Sequence, residues 1–140
     1  MKKLLLSLAT FCSLFLMVSC ANESVNVKDL EGKWLITNVQ GKTIKQAGTA
    51  QMTFDMKQNK LHGNGGCNIF NTKIELDDTD VSALRFSHPA ATLMDCPDAE
   101  QERAILQSLD AVRSIKRGTA ETEMILLDAN KKSLLTLQKQ

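Results

Sequence analysis

The chain has 140 residues, of which 17 are basic and 16 acidic, for a net charge of +1. That length suits one domain, and near-neutrality without a basic block excludes a dedicated nucleic-acid binder, which needs a clustered positive face. Hydrophobic residues at 43% beside 24% charged exclude global disorder. With five Phe, one Trp and no Tyr, the core must come mostly from Leu, Ile, Val and Met.

Residues 1–19 have the form of a secretory signal: Met1-Lys2-Lys3, then an apolar run from Leu4 to Val18, then Ser19. The run of about 15 residues is shorter than the roughly 20 a spanning helix needs. Leu16-Met17-Val18-Ser19-Cys20 resembles a bacterial lipobox, whose cysteine is lipidated and becomes the mature N-terminus. Met17 stands where that pattern prefers Leu. Two or three acyl chains on Cys20 give stable membrane attachment, which one chain does not. Residues 20–29 are expected to be a polar tether from bilayer to domain. No Asp follows Cys20, so the inner-membrane retention signal of some enteric bacteria is absent, and Glu23 is expected to be a solvated tether residue.

From Leu30 the chain shows short strands and one helix. Trp34–Val39 alternates with Trp34, Ile36 and Asn38 on one face, and Gln51–Met56 places Met52, Phe54 and Met56 together. A polar turn at Lys57–Lys60 leads into Leu61-His62-Gly63, a further strand lies within Cys67–Leu76, and Asp77–Asp80 forms an acidic turn. Leu84 and Phe86 share a face of the strand within Val81–Ser87, which His88-Pro89 ends. An amphipathic helix is predicted over about residues 97–113. Pro97 suits its first position, Asp95 or Cys96 its cap, and Ile105, Leu109 and Val112 its apolar stripe. Arg113, Lys116 and Arg117 are placed near its C-terminal end, with Gly118 as the stop. Glu123–Leu127 and Ser133–Leu137 then form a hairpin around Asp128–Lys132. The order predicts an α+β domain, a mostly antiparallel, partly barrel-like sheet with one packed helix.

Gly63-Asn64-Gly65-Gly66-Cys67-Asn68-Ile69-Phe70 is the most unusual stretch. A phosphate cradle needs a following Gly-Lys-Ser/Thr, and the dinucleotide fingerprint needs a following helix; neither is present. A bulge or tight hairpin fits better. Gly63-x-x-Gly66-Cys67-Asn68-x-Phe70, followed by Thr92-x-Met94-x-Cys96, resembles the META domain family in its HslJ-like form. Gly32-x-Trp34 and the Leu-rich final strands extend the resemblance over roughly 30–138, with Asp95 departing from the small residue usual before the second cysteine. The resemblance implies a small β-rich domain with a helix, often carried on lipoproteins and linked to stress or drug tolerance. It implies no established catalytic activity.

Cys12 leaves with the signal and Cys20 is taken for acylation, so Cys67 and Cys96 remain as a pair in an oxidising compartment. A disulfide, two buried thiols in contact and a redox-active pair are the three readings, the last without a Cys-x-x-Cys motif. His62, His88, Cys67 and Cys96 match no zinc spacing. Met52, Met56, Met94 and Met124 are core fillers rather than copper or haem ligands. No nucleophile-elbow sequence surrounds Ser82 or Ser87 near His88, and the acidic turn lacks the Gly and Glu of a calcium loop.

The expected function is therefore that of an envelope lipoprotein, anchored by Cys20, whose non-catalytic META domain has an interaction or stress-tolerance role, and not an enzyme: no catalytic, metal or cofactor residues are assigned. Its partners are the membrane, through the lipid, and an unidentified envelope protein, and it is expected to be a monomer on the periplasmic or surface face of the outer membrane. The alternatives are a carrier of an apolar small molecule in an open barrel and a metal-assisted enzyme built on Cys67, His62 and Asp95.

Overall fold

The computed structural model describes residues 24–45 and 49–140; the signal segment, Cys12 and Cys20 lie outside the described residues. Among the described residues a short 3-10 helix, Val27–Leu30, precedes ten strands and one α-helix. The strands are β1 (Gly32–Val39), β2 (Lys42–Thr43), β3 (Ala50–Asp55), β4 (Lys60–Gly65), β5 (Ile69–Leu76), β6 (Leu84–Phe86), β7 (Ala90–Ala91), β8 (Ser114–Arg117), β9 (Glu123–Leu127) and β10 (Ser133–Lys139). Helix α1 (Ala99–Ala111) lies between β7 and β8.

All pairings are antiparallel. The main path runs β6-β5-β4-β3-β1-β10-β9-β8, with β2 added beside β1 and β7 beside β5. Its two ends meet: Ala83 bridges Ser114, Leu84 N–H donates to Arg113 O at 3.2 Å and Ile115 N–H to Ser82 O at 2.9 Å. The sheet is thus a nearly closed barrel, and with its single helix it bears out the α+β expectation. Helix α1 packs on β1, β4, β6 and β10, strands from different sides of the barrel, and so covers one mouth. Ile105, Leu109 and Val112 supply its apolar contact and are fully buried.

The interior is filled by side chains. Trp34, Ile36, Met52, Phe54, Leu61 and Phe70 are among the fully buried ones, and Met124, Leu126, Leu135 and Leu137 enter from the final hairpin. An apolar cargo carried inside the barrel would have to displace them.

Three local features depart from the sequence reading. A bulge between Ile36 and Asn38, opposite β10, shifts the alternation so that Val39 rather than Asn38 is buried. The helix spans 99–111 rather than 97–113, and its N-cap is Asp98, not Asp95 or Cys96. Instead of extending the helix toward Gly118, Ser114–Arg117 forms strand β8 against β9, because that pairing seals the barrel. The described part of the segment expected to be a tether is folded: Val25 and Val27 are buried, and Val27 N–H donates to Val81 O at 2.8 Å. Asn26 caps the 3-10 turn in a capping box with Asp29, whose carboxylate pairs with Arg117 at 3.0 Å.

Candidate functional site: the disulfide corner

The Gly-Cys-Asn segment is a hairpin between β4 and β5, as its glycines suggested. Gly63 lies opposite Phe70 in the ladder, and the ring covers it so closely that a Cβ would stand 2.2 Å from the ring. Gly66 turns the chain at φ +120°, a conformation L side chains rarely adopt. The turn closes through Gly65 N–H to Asn68 O at 3.0 Å.

Cys67 and Cys96 form a disulfide with their Cα atoms 6.1 Å apart, tying this turn to the segment before α1. The pair is therefore covalently joined rather than two separate thiols in contact. Asn68 is the second tie. Its side-chain carbonyl accepts from Met94 N–H and from the Thr92 hydroxyl, both at 2.8 Å. Thr92 Oγ1 in turn accepts from Ile69 N–H at 3.1 Å. The motif residues Asn68, Thr92, Met94 and Cys96 therefore converge on one corner, as their joint appearance in the family pattern implies.

Glu102 is the third tie. It projects from the first turns of α1 and is 6% exposed. Its Oε1 accepts from Cys67 N–H at 2.8 Å and Asn68 N–H at 2.5 Å, and its Oε2 accepts from Asn68 Nδ2 at 2.7 Å. A buried carboxylate demands such donors. In the sequence Glu102 looks like an ordinary acid near a helix start, favourable to the helix dipole. Its clue was phase, since it stands three residues before Ile105 and seven before Leu109, on the buried stripe.

A small cavity of about 280 Å3 opens beside the bridge, lined by Gly65, Gly66, Cys67, Cys96, Asp98 and Glu102 among others. At its rim the Asp98 carboxylate accepts from Lys45 at 3.0 Å and holds the Lys45 ammonium above its ordinary pKa. Met94 is 56% exposed and Leu93 98%, so the loop that Asn68 pins presents two large apolar side chains to solvent. Met94 is thus not a core filler, unlike Met52 and Met124, which are buried, and Met56, which is partly so.

The histidines lie elsewhere. His62 Nδ1 is 2.7 Å from Asn71 Oδ1, and His88 Nδ1 is 3.0 Å from Asp110 Oδ2. Both line an open groove of about 710 Å3 on the outer face of β3–β5, with Asp55, Lys60 and Lys73 at its edges. Asp95 is exposed and makes no part of the cysteine cluster. The set imagined for an enzyme, Cys67, His62 and Asp95, does not assemble; Cys67 stands with Cys96 and Glu102 instead.

The META domain family model matches residues 26–140. No curated protein matches the sequence significantly. The fold is similar to an NMR structure of a protein from Burkholderia xenovorans, at 21% identity and TM-score 0.60, covering 81% of this chain and 85% of that one. It is also similar to the crystal structure of a DUF4847 family protein from Bacteroides vulgatus, at 10% identity and TM-score 0.56, covering 79% and 94%. At these identities the likeness concerns the fold.

Proposed function

The chain belongs to the META domain family, and on that premise we propose that it is an HslJ-like lipoprotein of the outer membrane whose domain is a non-catalytic interaction module serving stress tolerance. Cys20 carries the acyl chains. Val25, the first buried residue among those described, lies five residues after Cys20, a stretch that spans at most about 18 Å. The domain therefore works close to the bilayer surface.

The observation that carries the interaction reading is the apolar tip at Leu93 and Met94. Exposed apolar side chains are ordinary on mobile loops. Here the backbone beneath them is fixed by Asn68, Thr92 and the bridge, so the tip is presented in one geometry. Preformed apolar contacts of this kind suit an envelope protein partner.

A photo-crosslinking residue at position 93 in intact envelopes should yield one adduct of discrete mass, lost in Asn68→Ala. A diffuse smear, or the same adduct from that variant, would remove the support for a built contact. For the anchor, Cys20→Ala should abolish palmitate incorporation and release the protein from sedimenting membranes; continued sedimentation would refute the lipid reading.

A further inference from the structure

We propose that the Cys67–Cys96 bridge is the closed, oxidised form of a three-donor site for a thiophilic divalent cation, made by the two cysteine sulfurs and the Glu102 carboxylate. One donor atom from each of the three residues lies within 4.8 Å of the others. Zinc–sulfur and zinc–oxygen bonds of about 2.3 and 2.1 Å in tetrahedral geometry set donor separations of roughly 3.5–3.8 Å. Shifts of about an ångström therefore complete the set.

The corner holds the donors in place without the covalent bond. Cys67 is fixed through its own N–H on Glu102, and the Cys96 segment through Met94 N–H on Asn68. Asn68 Nδ2 also lies 3.1 Å from Cys96 Sγ. Opening the bridge leaves these hydrogen bonds intact, so the sulfurs stay near each other. On Glu102, Oε1 takes two N–H donors, whereas Oε2 takes one and retains a lone pair. The cavity of about 280 Å3 on the same residues admits an ion and a water as fourth ligand.

The chemistry balances with a dithiol reductant. Two electrons pass to the bridge, the S–S bond breaks, two protons are taken up, and the reductant leaves as its own disulfide. Cation binding then releases two protons as both thiolates form. With the carboxylate they place three negative charges on a divalent ion. Soft thiolate donors select zinc or cadmium over magnesium or calcium.

The test uses the full-length protein in detergent, reduced with a phosphine, which takes the oxygen of water as the bridge opens. Titration with Cd2+ should show one equivalent bound with sulfur-to-cadmium charge-transfer absorption, while the oxidised protein shows no such site. Cys67→Ser or Cys96→Ser should weaken binding at least about a hundredfold, and Glu102→Gln about tenfold. Cys12 and Cys20 are replaced by Ser in every sample, so the difference reads this site alone. Because Glu102→Gln disturbs the corner, the cadmium nuclear resonance of the reduced protein with Glu102 intact supplies a second measurement, with a shift typical of mixed sulfur and oxygen ligation. The proposal is overturned by a reduced protein without the absorption, by an unchanged titration in the double cysteine variant, or by a resonance reporting no sulfur or sulfur alone.

Discussion

The disulfide corner and the β9–β10 hairpin hold the two sides of the same barrel by opposite means. The hairpin contributes Met124, Leu126, Leu135 and Leu137, all buried, and closes with Asp128 accepting from the N–H groups of Asn130 and Lys132. Its stabilisation is spread over many apolar contacts, each small. The corner concentrates its stabilisation in one carboxylate, one amide and one S–S bond. Spread contacts degrade gradually under substitution; concentrated ones fail when one atom is lost, because several partly buried donors then lose their partner together. A site that must keep its shape, yet be altered by a single chemical event, is better built in the second way.

The comparison can be broken most severely at Glu102. Glu102→Ala strands three donors at once, and the expected loss is about 4–5 kcal/mol in denaturant unfolding. Loss below about 1 kcal/mol would show that the corner is not concentrated on that carboxylate. Next comes the hairpin, where Leu135→Ala removes a fully buried side chain and should cost about 3–4 kcal/mol. The Cys67 and Asn68 amides, which donate to Glu102, should keep their hydrogen-exchange protection relative to the rest of the fold.

Removing the bridge through Cys67→Ala with Cys96→Ala should cost about 3 kcal/mol, since the cysteines are 29 residues apart and the effect falls mainly on the unfolded chain. The Asn68 side-chain amide resonances should stay near their original positions; their collapse to random-coil values would show that the polar ties depend on the bond. A smaller effect belongs to the acidic turn. The Thr79 hydroxyl and N–H lower the pKa of Asp77, and the Ser82 hydroxyl and N–H lower that of Asp80. Both carboxyls titrate lower folded than unfolded, so their contribution is present above the unfolded value of about 4 and is lost as pH falls through the folded values. Asp80→Asn should flatten that acid limb of the stability profile slightly. Smallest is Leu93→Ser, expected to change stability by less than about 0.5 kcal/mol, although the same substitution should abolish the proposed contact.

The strands were legible because alternation is a local property: Met52 and Phe54, then Leu84 and Phe86, face the core as their spacing predicts. What escaped was set by distant partners. Ser114–Arg117 carries basic residues suited to a helix end, but β9 and the facing segment near Ala83 draw it into the sheet. Asn38 lost its place to Val39 through a bulge that only β10 imposes. Val25 and Val27 sit in a polar stretch whose burial depends on the turn at Val81. At the corner, the glycines, Asn68, Thr92 and the cysteines were all visible as a pattern. Glu102 was not, because an acid near a helix start has an ordinary explanation, and only the folded turn supplies its three donors.

The position of β1 between β3 and β10 has a kinetic consequence. Its second neighbour lies far along the chain; Thr37, for one, donates to the carbonyl of a residue 99 positions downstream. Until β10 has emerged, one side of β1 is an open edge bearing Trp34 and Ile36, and loop closure over that separation is slow. The nascent chain is therefore exposed to aggregation and to holding chaperones for most of its synthesis. Its maturation should be limited by the arrival of the last strand rather than by formation of the bridge.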